Sequence, residues 1–305
     1  MRQIRLRKLR RRLGLYEPPA SQPKPLPMDK ASVRQRRQVF EQLPEYPPCP
    51  DGWTTGPPDF VIFGAQKSGT TWWFRLLEQH SGVVQPAKQR PELHYFDRLF
   101  SDWPSDEQIA SYHRYFPRPE GKLAGEKTPE YMNCAWVPPM AKLAAPEAKV
   151  IVLLRDPIER YISGMSHQDR GGLLDAVDAA GQSRIMGDRV RVATDAIERG
   201  LYAVQVEWLL AQYAADRLLL LQYEACAADT AAQLARTHSF LGLEPEGLPE
   251  EEMARPRNKA KLDKVVVPPE HIALLQRYYR PDVERLRGFM PDLDLSLWPN
   301  FRNLV

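Results

Sequence analysis

The sequence predicts a three-layer α/β fold, in which helices flank both faces of a central parallel sheet. Three predicted strands at residues 61–63, 150–154 and 217–222 support this prediction, since each contains an apolar run and precedes a segment with helical spacing. Short, continuous apolar runs are typical of strands buried on both faces, and intervening helices imply that neighbouring strands are parallel. The chain is long enough for one large core, or for a core with appendages.

The first strand leads into a glycine-bounded turn. Gly64 and Gly69 bracket this turn, and residues 70–77 follow with helical spacing. The amides of such a helix N-terminus bind anions, with assistance from the helix dipole. The glycine spacing is that of a nucleotide-hydrolysing P-loop, but Thr70 follows the second glycine and the lysine precedes it, at Lys67. We expect a P-loop-like fold whose cation lies within the turn.

The turn sequence K-S-G-T-T-W, residues 67–72, resembles the 5'-phosphosulfate-binding loop of sulfotransferases that use 3'-phosphoadenosine 5'-phosphosulfate (PAPS). The resemblance implies a donor-binding role for six residues: Lys67, Ser68, Gly69, Thr70, Thr71 and Trp72. Aromatic residues more often pack in a core than stack on adenine. At most one of four candidates is therefore expected to stack on the adenine of the donor: Trp72, Trp73, Tyr202 or Trp208.

The second strand ends at Arg155, where open α/β sheets bind ligands. Asp156 is the expected N-cap of the next helix, Pro157 lies in its first turn, and Ser163 lies about two turns in. Arg155 and Ser163 resemble the family's 3'-phosphate-binding pair, since guanidinium and hydroxyl both donate to phosphate. The alternative is a Walker B strand with Asp156 on Mg²⁺, as in a P-loop kinase or NTPase.

Two segments between these loops, QRPELHYFD at residues 89–97 and GEKTPEY at 125–131, resemble the heparan sulfate sulfotransferase branch. The resemblance implies that Glu92 is the catalytic base and that His94, Asp97 and Lys127 are active-site residues. Cytosolic sulfotransferases use a histidine base, so His94 is the rival for that role. Alone, each of these residues reads as an ordinary loop or surface group.

The implied reaction is in-line sulfuryl transfer from PAPS to an acceptor hydroxyl, leaving 3',5'-adenosine diphosphate. Lys67 is the candidate for stabilising the leaving phosphate, and Glu92 for general-base catalysis. The scheme requires no metal. A glycan, a lipid-linked sugar or a specialised metabolite each carries a suitable hydroxyl. An inactive nucleotide-binding module is the third hypothesis, after the sulfotransferase and the kinase or NTPase.

The composition of the 305 residues, 43% of them hydrophobic, fits an enzyme with a large core. No run approaches the roughly 20 apolar residues that span a membrane, and the basic N-terminus lacks the apolar region of a secretory leader. We therefore expect a soluble, cytoplasmic enzyme of bacterial style. The three scattered cysteines are expected to be reduced thiols, although a pairing is left open. The oligomeric state is not predicted.

Residues 1–58 read as a basic, proline-rich arm, and residues 59–305 as the catalytic domain. Residues 1–40 contain twelve Lys or Arg and two acidic residues, a net charge of +10, which leaves −7 for the remainder of a chain with net charge +3. The arm is expected either to be a solvated tail or to bind an acidic partner or a membrane surface. Nucleic acid is the least favoured of its partners.

The rest of the chain continues the alternation of strands and helices. Helices are expected at residues 200–214, 229–241 and 269–287, and a mobile loop or short helices over the acceptor site at 166–198. Residues 255–264 are expected to form a basic loop. Its place in the chain resembles that of the loop which, in the sulfotransferase family, closes over the 3'-phosphate and adenine. Asn258 and Lys259 are its candidate donor contacts, although a solvated loop is an equal alternative.

Overall fold

The structure is a computed structural model that describes residues 43–85, 92–99, 102–168, 195–253 and 266–304. Its described residues form one four-stranded parallel sheet with the strand order β2-β1-β3-β4. The strands are β1 (Phe60–Gly64), β2 (Gly125–Lys127), β3 (Lys149–Leu154) and β4 (Leu218–Gln222). The predicted parallel sheet is confirmed.

Helices connect these strands and cover the sheet. The α-helices are α1 (Thr70–Leu77), α2 (Asp106–His113), α3 (Val137–Ala144), α4 (Pro157–Gln168), α5 (Tyr202–Gln212), α6 (Tyr223–Ala228), α7 (Thr230–Leu241), α8 (Glu250–Met253) and α9 (Pro269–Leu286). Short 3₁₀ helices occupy Pro129–Asn133, Ala215–Arg217, Leu295–Leu297 and Arg302–Leu304.

Two apolar layers lie on opposite faces of the sheet because successive strand residues point in opposite directions. On β1, Val61 and Phe63 pack in one layer with α3, α5 and α9, whereas Phe60 and Ile62 pack in the other with α1 and α7. The strands β3 and β4 divide their side chains in the same way. The three-layer arrangement predicted from the sequence is therefore confirmed.

The parallel register places the carboxyl ends of the strands along one edge of the sheet. Val61 pairs with Glu126 and Val150, and Val150 pairs with Leu218. The segments that leave β1, β2, β3 and β4 consequently start side by side. These segments contain most of the residues that the sequence nominates for the site.

Several elements were not predicted from the sequence: the helices α2, α3 and α8, the strand β2 and the short helix α6. The strand β2 was not predicted, because its three residues include two charged side chains and no apolar run. The helix expected after β4 at 229–241 is preceded by α6, whose six residues are too few to show a helical period. Of the loop expected at 166–198, residues 166–168 continue α4 and residues 195–198 are helical, while 169–194 lie outside the described residues.

The described end of the N-terminal arm packs on the domain. The Tyr46 ring lies 4.7 Å from the Tyr115 ring and under the Arg114 guanidinium, whose central carbon is 3.8 Å from the ring centre. Thr54 and Arg118 exchange two backbone hydrogen bonds of 2.9 Å. Residues 1–42 lie outside the described residues, and the domain boundary at 58/59 stays a prediction.

The cysteines are free thiols, with Cys49 exposed and Cys134 and Cys226 buried. Within the described residues, no helix combines the length and the apolar character that crossing a bilayer requires.

Candidate active site

A cavity of about 420 Å³ opens at the carboxyl edge of the sheet. Its size falls within the range of roughly 300–1,000 Å³ that is usual for small-molecule sites. The described residues that line it come from the β1–α1 turn, from α1 and the segment between α1 and β2, from the segments after β2, β3 and β4, and from α8. They are Gln66, Lys67, Gly69, Thr70, Thr71, Trp72, Arg75, Leu76, Glu78, Gln79, Glu92, Pro129, Arg155, Ser163, Tyr223 and Glu252.

The β1–α1 turn has the conformation of an anion cradle. Gly69 precedes α1 with φ of 84°, and Lys67 is also left-handed, with φ of 69°. A lysine in this region is uncommon, and such strain concentrates at functional sites. Since Gly69 has no side chain to cap α1, the first amides of that helix remain for an anion. A Cβ on Gly69 would lie 2.7 Å from the Tyr223 ring, so the turn also requires a glycine sterically.

Arg155 joins this turn to β3 and α6. Its Nη1 donates to the Lys67 carbonyl at 3.3 Å, and its Nη2 lies 3.2 Å from a Glu159 carboxylate oxygen. The guanidinium carbon lies 5.3 Å from the centre of the Tyr223 ring. Ser163, two turns along α4, lines the same cavity as Lys67. The two phosphate-binding motifs predicted from the sequence therefore meet in one cavity.

Asp156 caps α4, as the sequence predicts. Its Oδ1 accepts from the amides of Ile158 at 2.9 Å and Glu159 at 3.3 Å. Asn300 donates its amide to Oδ2 and its side-chain nitrogen to both carboxylate oxygens, each at 3.1 Å. These contacts give Asp156 a structural role and disfavour the Walker B alternative. The described residues contain no group of three or more His, Cys, Asp and Glu suited to a metal.

Glu92, Lys127 and His94 form a charged cluster beside Thr71, at the start of α1. The Lys127 ammonium donates to Glu92 Oε1 at 2.5 Å and to Thr71 Oγ1 at 3.1 Å. His94 Nε2 lies 3.6 Å from Glu92 Oε2, and its Nδ1 lies 2.6 Å from Asp97 Oδ2. Lys127 thus links the Glu92 carboxylate to Thr71, a residue of the predicted phosphosulfate-binding loop.

The two candidates for the base differ in protonation. Hydrogen bonds to Asp97 and Glu92, with the charges of both carboxylates, raise the pKa of His94 to about 9 despite its partial burial. Burial would raise the pKa of Glu92, but hydrogen bonds from His94 and Lys127 and their charges outweigh it and lower that pKa. At pH 7, His94 is therefore a cation without a free lone pair, whereas Glu92 is an acceptor.

Two of the predicted donor contacts, Ser68 and Trp72, are buried, and two others lie outside the described residues. The Ser68 side chain is fully buried and does not line the cavity, and its amide donates to the Ala65 carbonyl at 3.2 Å. Trp72 lines the cavity with little exposure and packs edge-on against Trp73, which makes it mainly a core residue. Asn258 and Lys259 lie outside the described residues.

Tyr223 is a cavity residue that the sequence reasoning missed. It directly follows β4, and its ring lies beside the Arg155 guanidinium. The ring also occupies the position next to Gly69 into which a Cβ would project. The rule that ligands bind at the carboxyl ends of parallel strands applies to β4 as it does to β3. The position of Tyr223 directly after the predicted strand RLLLLQ could therefore have identified it as a cavity residue.

Comparisons with known proteins agree with this geometry. A model of the sulfotransferase domain family matches residues 57–265. The chain is 29% identical over 243 residues to the human heparan sulfate glucosamine 3-O-sulfotransferase 3B1, covering 76% of this chain and 59% of that protein. It is 30% identical over 189 residues to the mouse 3-O-sulfotransferase 3A1, covering 61% of this chain and 46% of that protein. The chain thus spans about half the length of these relatives.

A solved structure shows the same fold. A sulfotransferase from Alicyclobacillus acidocaldarius superposes with a TM-score of 0.60 at 22% sequence identity, covering 79% of this chain and 98% of that one. At this identity the likeness bears on the arrangement of strands and helices alone.

Proposed function

Because this chain belongs to the sulfotransferase domain family, we propose that it transfers a sulfuryl group from PAPS to an acceptor hydroxyl. One observation carries the proposal: the Lys67 turn and the Arg155–Ser163 pair line a single cavity, beside the Glu92–Lys127 pair. A donor with phosphates at two separate positions requires two such anion sites, whereas a nucleotide phosphorylated only at its 5' position requires one.

The residues present fit this donor. The amides of α1, the Lys67 ammonium and the Thr70 and Thr71 hydroxyls would hold the 5'-phosphosulfate, and Arg155 with Ser163 the 3'-phosphate. Trp72 and Tyr223 supply the aromatic surface in the same cavity. Asn258 and Lys259 remain proposed contacts from the resemblance alone. The buried Ser68 side chain would act through the shape of the turn.

When bound, PAPS supplies an activated sulfuryl group. The proposed task of Glu92 is to accept the proton of the acceptor hydroxyl as its oxygen forms a bond to sulfur, a step that contributes roughly 100- to 10,000-fold. Lys67 neutralises the negative charge that the breaking sulfur–oxygen bond leaves on phosphate. Lys127, which already bridges Glu92 and Thr71, steadies the peripheral oxygens.

His94 has a different proposed role. The imidazolium state favoured by Asp97 and Glu92 supports His94 as a hydrogen-bond donor to the acceptor or to the sulfuryl oxygens. The same state argues against His94 as the base. Asp97 contributes by holding the His94 ring through Nδ1 at 2.6 Å.

For the acceptor we propose a hydroxyl-bearing carbohydrate as the first class to test. The relatives are named for the glucosamine of heparan sulfate, and the chain spans about half their length. A lipid-linked sugar and a hydroxylated metabolite form the next two acceptor pools.

Calorimetry with 3',5'-adenosine diphosphate and with ADP tests the donor assignment. Charge-assisted hydrogen bonds contribute about 1.5–3 kcal/mol each, and every 1.4 kcal/mol is tenfold in affinity. The 3'-phosphate should therefore strengthen binding at least tenfold, with or without EDTA. Arg155→Ala should remove most of that preference, whereas Arg217→Ala, which removes a surface pair with Glu147, should leave it unchanged.

Turnover is tested with PAPS labelled in its sulfate and with heparan sulfate, lipid-linked sugars and hydroxylated metabolites as acceptors. Transfer of label to one of these pools supports the proposal. Equal affinity for the two diphosphates, or binding of ATP that requires Mg²⁺, would overturn it in favour of a kinase. Tight donor binding without transfer to any pool would favour an inactive module.

A further inference from the structure

The segment that carries Glu92 and His94 alternates between the active site and the core. Leu93 and Tyr95 are buried, with 7% and 1% of their surface exposed. The side chains of Glu92 and His94 are 35% and 30% exposed and point to Lys127 and to each other. This segment belongs to neither a described strand nor a described helix, so another element must hold it in place.

Backbone groups of this segment are bound by side chains that follow β2. The Leu93 amide donates to Thr128 Oγ1 at 3.2 Å, and the Tyr95 amide donates to the Tyr131 hydroxyl at 3.0 Å. Farther along, the Trp136 indole donates to the Asp97 carbonyl at 3.3 Å. The two bound amides belong to the buried residues Leu93 and Tyr95, so the side chains of Glu92 and His94 face the site.

The two anchoring side chains are rigid supports. Thr128 and Tyr131 are both fully buried. The Tyr131 ring packs edge-on against Phe63 of β1 with centroids 5.6 Å apart, and it contacts Phe96 at 5.8 Å. Thr128 donates its amide to the Ile62 carbonyl of β1 at 3.2 Å. Both anchors are therefore tied to β1, an inner strand of the sheet.

Thr128 also follows Lys127 directly, so one short stretch supplies both the cation and the anchor. The Lys127 side chain contacts Glu92, and the Thr128 hydroxyl accepts from the backbone amide of the next residue, Leu93. His94 lies between the two anchored amides with φ of 50°, a left-handed conformation that is unfavourable for a histidine unless its neighbours impose it.

We propose that Thr128 and Tyr131 are positioning residues that set Glu92 and His94 against Lys127 by binding the backbone of residues 92–97. The inference rests on the proposed function for its effect on turnover. It assigns neither residue a contact with the donor or the acceptor. Its geometric part, the placement of His94 between Glu92 and Asp97, stands without any assumption about the reaction.

The test uses two substitutions that remove one acceptor each. Thr128→Val keeps the branched shape and deletes Oγ1, whereas Thr128→Ser retains the oxygen. Tyr131→Phe deletes the hydroxyl that binds the Tyr95 amide. Tyr213→Phe is its matched control, because Tyr213 is equally buried and its ring packs edge-on against the same Phe63 at 6.2 Å.

We expect Thr128→Val and Tyr131→Phe to lower kcat for labelled sulfuryl transfer to heparan sulfate at least tenfold. Affinity for 3',5'-adenosine diphosphate should stay within a few-fold of the wild type. Thr128→Ser and Tyr213→Phe should retain most of the turnover. Unchanged kcat in Thr128→Val, or a parallel loss of donor affinity and turnover in all four variants, would overturn the proposal.

A second measurement needs no turnover. Titration of the His94 ring by NMR, assigned with His94→Asn, should give a pKa near 9 in the wild type. In Thr128→Val that pKa should fall by about one unit or more, because the ring loses its fixed place beside Glu92 and Asp97. An unchanged His94 titration in Thr128→Val and Tyr131→Phe would overturn the positioning role. Absence of transfer by the wild type with a shifted His94 titration would instead count against the proposed function alone.

Discussion

At the scale of single residues, the surroundings of Glu92 and Glu126 shift the pKa values of the two carboxyl groups in opposite directions. Glu92 faces Lys127 and His94, which lower its pKa although burial acts the other way. Glu126 precedes Lys127 in β2 but points to the other face of the sheet, where burial raises its pKa to about 8. The Tyr112 hydroxyl donates to Glu126 Oε1 at 3.0 Å. One carboxyl is therefore ionised at neutral pH and the other largely protonated.

Glu92→Gln tests the proposed role of Glu92 as general base and should leave the proposed donor site intact. Glutamine keeps the size and much of the hydrogen bonding but cannot accept the proton, so kcat should fall on the order of 100-fold or more. Calorimetry should show near-normal affinity for 3',5'-adenosine diphosphate. Near-normal turnover in this variant, together with collapse in His94→Ala, would assign the base to His94 instead.

Glu126→Gln should change how stability depends on pH. Between its unfolded value of 4.5 and its folded value of about 8, Glu126 holds a proton in the folded state that the unfolded chain releases. Its contribution to stability is therefore fully present below pH 4.5 and is lost as pH rises toward 8.

Glutamine accepts from Tyr112 and does not ionise, so the Tm of Glu126→Gln relative to the wild type should rise from pH 5 to pH 9. Thermal unfolding at a series of pH values checks this expectation. Parallel Tm curves for the two proteins would show that the buried carboxyl does not titrate in this range.

At the scale of elements, the β1–α1 turn combines a backbone requirement with a steric one. Gly69 has φ of 84°, and a Cβ there would lie 2.7 Å from the Tyr223 ring of α6. The turn, the end of β3 and the start of α6 are in mutual contact through Arg155 and Tyr223. The shape of the anion cradle thus depends on elements more than 80 residues apart, since Arg155 reaches the Lys67 carbonyl across 88 residues.

Gly69→Ala and Gly121→Ala separate the two requirements. Gly121 has φ of +80° with nothing within 4 Å of a Cβ, so alanine there should cost only the left-handed backbone, about 1–2 kcal/mol of unfolding free energy. Gly69→Ala should cost more and should weaken binding of 3',5'-adenosine diphosphate at least tenfold. Urea unfolding and calorimetry measure both. Equal stability losses with unchanged donor binding would mean that the Tyr223 contact is unimportant.

At the scale of the whole molecule, the proline-rich stretch before β1 is divided between packed and undescribed parts. Residues 43–58 contact the segment 111–118 through Tyr46, Thr54 and the Pro44 carbonyl, which accepts from the Tyr115 hydroxyl at 2.7 Å. Leu43 packs against the main apolar cluster. None of these residues is among those that line the proposed donor cavity.

Two truncations test the role of this arm. Removal of residues 1–40 should leave affinity for 3',5'-adenosine diphosphate within a few-fold of the full chain. Removal of residues 1–58 deletes the Tyr46 and Thr54 contacts and should lower the Tm by about 5 °C or more, since 1 kcal/mol corresponds to roughly 2–4 °C for a domain of this size. Loss of folding or donor affinity in the shorter deletion would show that residues before 43 also pack on the domain.

Much of the fold was predictable because its signals are local. The apolar runs of β1, β3 and β4, the glycine-bounded turn and the Asp156–Pro157 helix start each lie within a few consecutive residues. Strand β2 escaped prediction because two of its three residues are charged and its stability comes from pairing with β1. The short α6 escaped for a related reason, since six residues do not complete two helical turns.

The sequence by itself determined the positions of β1, β3 and β4 and of the helices α1, α4 and α7 that follow them, because their signals lie in local spacing. It also determined the chemical types of the residues proposed to bind the donor. Only the tertiary structure decided which charges meet. It set Lys127 between Glu92 and Thr71, raised the pKa of His94, buried Ser68 and brought Tyr223 to Arg155. Burial and charge pairing arise from contacts between distant parts of the chain, and spacing along the chain does not encode them.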